Sequence, residues 1–144
     1  ADQEQFTCGE GPMALVKSGR ISAYSDGVEE MKKMMERVEE LMRSQKPFLS
    51  ETYCLMDMAA SVYTNKTYLS RTINMLTGKN FRQYINSYRV EYALQLMKDD
   101  HKLRVSELAE LAGFHSSVTF GMAFKLNMGE TPGEYLQKLK AGLE

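Results

Sequence analysis

The sequence predicts an all-α protein: two helix-turn-helix subdomains joined by a long linker helix, with an additional N-terminal amphipathic helix. Three observations carry this prediction. Apolar residues recur at helical spacing after residue 27. Strand-like alternation and two-residue hairpin turns are not found in the same region. One helical pattern also occurs twice, 51 residues apart, which favours two copies of a single unit.

Composition places the chain among folded proteins without a structural metal or a disulfide framework. Its 144 residues are 43% hydrophobic, enough for a core of ordinary size. Cys8 and Cys54 lie far apart and form no zinc-type spacing with histidine, so no metal and no cofactor is predicted. No apolar run approaches the roughly 18 residues that span a bilayer. We expect a cytoplasmic domain, and the cytoplasmic end of a larger sensor protein is one arrangement that fits.

The first predicted helix follows an irregular lead-in. Residues 1–27 contain several glycines and no sustained period, whereas residues 28–46 form an amphipathic pattern that Pro47 ends. Its apolar stripe has two interpretations, packing in the chain's own core, which we favour, or pairing with a second chain as a homodimer. The stripe consists of Val28, Met31, Met35, Val38 and Met42.

Two units of similar pattern occupy residues 47–80 and residues 99–144, the latter including a C-terminal helix. In each unit a short helix carries a small residue, a turn follows, and a second helix ends at Gly78 or Gly129, where glycine accepts a left-handed backbone. We expect Thr64 in the first unit, and Ser116 or Ser117 in the second, to cap the second helix. Asn80 and Thr131 are expected to cap the helices that follow.

A longer helix over residues 81–98 is predicted to link the units. One face carries apolar side chains at helical spacing, namely Phe81, Ile85, Tyr88, Tyr92 and Leu96. At about 1.5 Å per residue such a helix spans roughly 25 Å, which would set a fixed distance between the units.

The segment Thr64–Val90 holds five basic residues and no acidic one, although the whole chain has a formal charge of -1. With Leu69 and Ile73 turned inward, helical geometry turns a polar set outward, whose chemistry suits the base edges of a DNA major groove. These base-reading candidates are Lys66, Thr67, Ser70, Arg71 and Asn74. Three further bases are better placed to contact phosphates, namely Lys79, Arg82 and Arg89.

The matching positions of the second unit have little charge. Lys125 is the phosphate candidate there, and the remaining surface consists of His115, Ser117, Val118 and Met122. Two interpretations remain open: this surface reads thymine methyl groups and DNA shape, or it contributes weakly to affinity. We favour the weak contribution.

The motifs "YLSR", "GKNF…YI…YRVEYALQLM" and "AGF…F…FK…G.TP.EY", in that order, resemble the DNA-binding domain of AraC/XylS-type transcription regulators. The resemblance covers about residues 48–140. It implies two helix-turn-helix units that insert into successive major grooves, with RNA polymerase as a further partner; activation is the expected mode of regulation, and repression stays open as the alternative. The chain departs from the family pattern at Met122, Leu126 and Leu136, where basic residues are usual.

Sequence-specific binding of double-stranded DNA is therefore the predicted function. The alternative is a protein-interaction or oligomerisation module on the same scaffold, with reduced DNA affinity. An enzyme is not predicted, because the sequence has no nucleophile–base order, phosphate loop or metal cluster.

Overall fold

A computed structural model of the chain describes residues 21–142, with side chains from residue 27 onward. All regular structure in this part is helical, which confirms the predicted all-α class. The elements are α1 (Ile21–Gln45), a 3-10 turn (Pro47–Leu49), α2 (Leu55–Ser61), α3 (Lys66–Thr77), α4 (Phe81–Asp99), α5 (Val105–Leu111), α6 (Ser117–Met128) and α7 (Pro132–Gly142).

Helix α1 begins before its predicted start at residue 28. It starts at Ile21 and continues through Gly27, a residue that the sequence analysis places in the irregular lead-in. An interior glycine costs a helix about 1 kcal/mol relative to alanine, and a long helix with a packed face tolerates that cost. Residues 1–20 of the predicted lead-in lie outside the described residues.

The apolar stripe of α1 is part of the protein's own core, which is the favoured one of the two interpretations from the sequence. Met31, Met35, Val38 and Met42 are each less than a tenth exposed, and Val28 is half-buried. The same helix packs against α3. A stripe that fills its own core cannot also form the contact with a second chain, because each side chain would have to leave the core first.

The repeated pattern corresponds to repeated structure. Helices α2 and α5 begin at Leu55 and Val105, and helices α3 and α6 begin at Lys66 and Ser117. Gly78 and Gly129 follow α3 and α6 with φ of 75° and 83°, as their predicted role as helix stops requires. Two helix-turn-helix units are therefore present, as predicted.

The helix caps agree with prediction except at the start of α3. Asn65, and not Thr64, caps α3, because its side-chain oxygen accepts from the backbone N–H of Tyr68 at 2.8 Å. Ser116 caps α6 and accepts from Thr119 N–H at 3.1 Å. Asn80 and Thr131 cap α4 and α7 as predicted. An asparagine oxygen reaches the free N–H groups of a first helical turn as well as a hydroxyl does.

The two compact units divide the chain differently from the predicted boundaries. Residues 47–52 group with residues 85–142, whereas residues 53–84 group with α1. The first unit was predicted to begin at residue 47. The segment 47–52 joins the second unit because the ring of Phe48 packs at 5.5 Å from that of Tyr88 and at 6.2 Å from that of Tyr92.

Helix α4 has a different buried face from the predicted one. Of the predicted positions only Ile85 is fully buried, and the others are half-buried. In the second unit the buried positions are instead Val90, Ala93 and Met97, which join the core of that unit. The prediction assumed one continuous apolar stripe, whereas the helix serves two units and its buried side changes along its length.

Tyr53 provides a stability test in the first unit. Its hydroxyl is buried without a hydrogen-bond partner among the described residues, and its ring lies 6.1 Å from that of Phe81. Burial, with a smaller contribution from Asp57, raises the pKa of the Tyr53 phenol to about 12. Tyr53→Phe is therefore expected to raise the free energy of unfolding by about 1 kcal/mol, because a buried polar group without a partner is removed.

Urea denaturation measures the Tyr53 effect, and Tyr92→Phe in the second unit serves as the comparison. A Tyr53→Phe variant less stable than the parent protein would show that the hydroxyl makes a stabilising bond.

Neither a membrane span nor a metal cluster is found between residues 21 and 142. No helix in that range is long and apolar enough to cross a bilayer. No group of three or more metal-ligating side chains occurs there. Cys54 is an exposed free thiol at the start of α2, and Cys8 lies outside the described residues.

Candidate nucleic-acid interface

One face of helix α3 packs in the core of the first unit, and the opposite face is available to a ligand. Leu69, Thr72 and Ile73 are fully buried, and the Thr72 hydroxyl donates to the Tyr68 carbonyl at 2.8 Å. With Leu69, Thr72 and Ile73 on the buried side, helical geometry places Lys66, Thr67, Ser70, Arg71 and Asn74 on the opposite side of α3. The cap at Asn65 and the left-handed turn at Gly78 define the two ends of this helix.

The structure brings the five base-reading candidates together on the outer side of α3. Asn74 is exposed, and the other four are half-buried, with Arg71 and Thr67 also interacting within the protein. Side chains four residues apart lie in one row along a helix. Lys66, Ser70 and Asn74 therefore form one row, and Thr67 and Arg71 form a second row beside it.

Helix α1 borders this surface near the start of α3. Burial raises the pKa of the Tyr68 phenol, and the nearby carboxylate of Glu30 raises it further. The guanidinium of Arg37 acts in the opposite direction. One acidic and one basic side chain of α1, Glu30 and Arg37, thus lie near the Tyr68 phenol in the first turn of α3.

Two of the predicted phosphate contacts lie just beyond the end of α3. Lys79 is half-buried and Arg82 is exposed in the first turn of α4. Both lie within the same compact unit as α3. Flexible cations beside a polar helix face are well suited to phosphates on either side of a groove.

Arg89, the third predicted phosphate contact, is a structural residue, and this assignment is corrected. Its guanidinium donates to the Phe48 carbonyl at 2.7 Å and to the Ser50 carbonyl at 2.9 Å. It also lies 5.7 Å from the centre of the Phe114 ring. A guanidinium held by two backbone carbonyls and an aromatic face cannot reach a phosphate without breaking these contacts.

Helix α6 also packs by one face in the core of its unit, but its outer face has a different chemistry from that of α3. Phe120 and Phe124 are fully buried, and their rings lie 5.7 Å apart. The opposite side carries Val118 and Met122, each 69% exposed, together with the exposed Lys125. The predicted surface of the second unit is thus exposed, and Lys125 is the one basic side chain of α6 on it beside two apolar ones.

His115 and Ser117 stand at the start of α6, and both are exposed. The Nδ1 atom of His115 lies 2.9 Å from a carboxylate oxygen of Glu51. This contact ties the segment before α2 to the turn before α6, both within the second unit. An exposed pair of this kind contributes little to stability.

Five exposed large apolar side chains in the described residues were not among the predicted site residues, and three of these lie on α3, on α6 or in the turn before α3. Met75 is 46% exposed on α3, Leu126 is 76% exposed on α6, and Tyr63 is 90% exposed in the turn before α3. Leu126 follows Val118 and Met122 at steps of four, a spacing that the sequence alone contains. Tyr63 has a φ of 60°, which no sequence pattern indicates for a residue with a large side chain.

Comparisons with known proteins agree with this geometry. The model of the family described as a helix-turn-helix domain matches residues 58–138. A transcriptional regulatory protein of Bacillus subtilis, YesN, is 36% identical over 93 residues, which are 64% of this chain and 24% of that protein. The TCP pilus virulence regulatory protein of Vibrio cholerae is 30% identical over 102 residues, 71% of this chain and 35% of that protein.

Among solved structures, the DNA-binding domain of AdpA, a global transcriptional factor in complex with a target DNA, superposes with a TM-score of 0.63. It is 24% identical and covers 75% of this chain and 93% of that one, a likeness that shows the fold. The chain spans about a quarter to a third of the curated relatives described above.

The two capped helix-turn-helix units and the match over residues 58–138 define a class of protein, the DNA-binding domain of a transcription regulator. Within that class, the chain belongs to the AraC-type helix-turn-helix family. It is not a member of an enzyme family.

Proposed function

We propose that the chain binds double-stranded DNA sequence-specifically and that α3 reads base edges in the major groove. One observation carries this proposal: a helix capped at Asn65 and stopped at Gly78 has a polar outer face in a segment without acidic residues. The buried Leu69 and Ile73 support it, because they hold the backbone of that face in place. A recognition helix needs such support for its side chains to select bases.

The side chains of α3 match different bases. Arg71 can donate two hydrogen bonds to guanine O6 and N7, and Asn74 can pair with adenine N6 and N7. The methyl group of Thr67 suits the methyl group of thymine. Lys66 and Ser70 lie beside them and complete the face.

Phosphate contacts come from Lys79 and Arg82 beside α3, with Lys125 as the corresponding cation on α6. These residues position the domain and account for its salt dependence, since they carry no information about sequence. Arg89 is left out because its guanidinium is held inside the second unit.

Arg71→Ala is expected to weaken binding to the preferred site by about 1–3 kcal/mol and to relax the preference at one base position. Arg71→Lys keeps the positive charge but loses the two-pronged contact, so it should lose the base preference while the salt dependence changes little. Fluorescence anisotropy on sites selected from random duplex DNA, at two salt concentrations, measures both effects.

Lys79→Ala is the matched control for a phosphate contact. This variant should weaken binding to every DNA sequence by the same factor and lower the slope of log affinity against log salt by about one. Circular dichroism before each titration establishes that the variants are folded. If Arg71→Ala weakened all sequences equally, Arg71 would be a phosphate contact and the base-reading role would be refuted.

The alternative function is a protein-interaction module that uses the stripe of α1 as its contact surface. The burial of Met31, Met35, Val38 and Met42 argues against it, because these side chains pack in the core. The remaining expectations, transcription activation in the cytoplasm and contact with RNA polymerase, stay predictions from the family resemblance. In vitro transcription from a promoter that carries the selected site, with purified polymerase, tests them.

A further inference from the structure

Helix α6 presents a row of exposed apolar side chains that the core does not need. Val118, Met122 and Leu126 are 69%, 69% and 76% exposed, and we call these three residues the apolar stripe. They are spaced by four residues and therefore lie in one row along the helix. The core of the second unit is already filled on the opposite side of α6 by Phe120 and Phe124.

Gly121 lies beside the apolar stripe in the interior of α6. A Cβ atom built on Gly121 meets nothing within 4 Å, so packing inside the protein does not require a glycine here. Glycine in a helix interior is less stable than alanine. Gly121 is half-buried, and a glycine without a packing reason beside an exposed row fits a surface that another molecule approaches closely.

The charge around α6 decides which part of DNA this surface suits. Lys125 is the one basic residue of α6. Hydrogen bonds with Thr131 lower the pKa of the Glu134 carboxyl group, and the nearby charge of Lys125 lowers it further. Phosphate binding needs several cations, which α6 lacks. An apolar row instead complements the one apolar group in the major groove, the C5-methyl group of thymine.

We propose that the apolar stripe reads thymine methyl groups in the major groove, so that the second unit supplies base preference with little salt-dependent affinity. The inference rests on the proposed DNA binding by this chain. Val118 and Met122, in the first half of α6, make the methyl contacts, and Gly121 allows the helix backbone to come near the base edges. Leu126 extends the row into the last turn.

Replacing single thymines by deoxyuridine tests the proposal, because uracil lacks only the methyl group and keeps every hydrogen-bonding atom. A binding site is first selected from random duplexes with the full chain, and each thymine in it is then changed in turn. We expect at least one deoxyuridine to lower affinity about fourfold, the effect of exposing one methyl-sized group. The slope of log affinity against log salt should stay the same.

Variants of the stripe then assign the methyl contact to its residue. Met122→Ala or Val118→Ala should lower affinity for the thymine site and remove the difference between thymine and uracil at that position. Leu111→Ala is the matched control, since Leu111 is a 49% exposed leucine of α5 in the same unit, and it should keep the difference. Gly121→Leu is expected to fold normally, since leucine favours helices, and to weaken binding to the same site.

The proposal is overturned if no deoxyuridine changes affinity, or if both alanine variants keep the full difference between thymine and uracil. It is also overturned if the stripe variants change the sedimentation coefficient of the protein, because the stripe then binds a second copy of the chain. If one of these outcomes is found but Arg71→Ala still relaxes the base preference, sequence-specific DNA binding by α3 stands. Only the proposed contact of the apolar stripe with thymine methyl groups then fails. Failure to select any site refutes both.

Discussion

Gly113→Ala is expected to lower the free energy of unfolding by about 3–5 kcal/mol, the largest effect of any variant considered. Two costs add at this position. Gly113 has a φ of 90°, a backbone conformation that residues with a Cβ atom rarely adopt. A Cβ atom would also lie 2.5 Å from the Phe48 carbonyl oxygen and 2.8 Å from that of Leu49. These are backbone atoms, so relief of the clash requires residues 47–52 to move.

Gly129→Ala is the matched control for Gly113→Ala. Gly129 also has a positive φ of 83°, but nothing lies within 4 Å of its added Cβ atom. It should therefore show only the cost of the left-handed backbone, about 1–2 kcal/mol. Tyr63, at the position of the first unit that corresponds to Gly113, has a φ of 60° and is almost fully exposed, so that turn accepts a side chain.

Urea denaturation of the two glycine variants gives the comparison. Equal losses at Gly113 and Gly129 would mean that the carbonyl groups of residues 48 and 49 do not limit the turn. The expected difference of a few kcal/mol corresponds to a large separation of the two denaturation midpoints.

Arg89→Met is expected to lower the free energy of unfolding by about 2–4 kcal/mol, because it leaves two carbonyl groups without their charged donor. The Phe48 and Ser50 carbonyls both accept from this guanidinium, at 2.7 and 2.9 Å. Methionine keeps much of the apolar stem, so the loss reports mainly on the hydrogen bonds. Arg89→Lys should lose less than Arg89→Met, since one ammonium can still reach one of the carbonyls.

Arg82→Met is the control on the same helix, and it separates structure from DNA binding. Arg82 is exposed in the first turn of α4. Its replacement should change stability by less than about 0.5 kcal/mol, yet lower the slope of log affinity against log salt by about one. If instead Arg89→Met left stability unchanged and lowered that slope, Arg89 would be a phosphate contact after all.

The fold class and the repeat were predictable because they depend on local rules. Helical periodicity, glycines at the left-handed ends of helices and polar caps act within a few residues of each other. Gly78 and Gly129 were predicted for this reason, and the caps Ser116, Asn80 and Thr131 followed from the same rules. At α3 the prediction chose Thr64 although asparagine is the stronger cap of the two adjacent residues, and the structure has Asn65 as the cap.

The polar face of α3 was predictable in the same way. Once Leu69 and Ile73 are assigned to the core, helical geometry alone determines which neighbours point outward. The same reasoning placed Val118 and Met122 on the outside of α6, where they are exposed. Exposure also depends on how neighbouring helices cover each side chain, and four of the five base-reading candidates are half-buried. That degree of cover could not be deduced from spacing.

The sequence by itself determined the all-α class, the two repeated units, most helix ends and the sides of α3 and α6 that face solvent. Only the tertiary structure decided three further assignments: the stripe of α1 belongs to the core, residues 47–52 belong to the second unit, and Arg89 holds that segment. In each case the partner is distant in sequence, as for Arg89 and Phe48, whose positions differ by 41. A guanidinium or a methionine row suits several partners equally, and the choice depends on which surfaces the chain brings together when it folds.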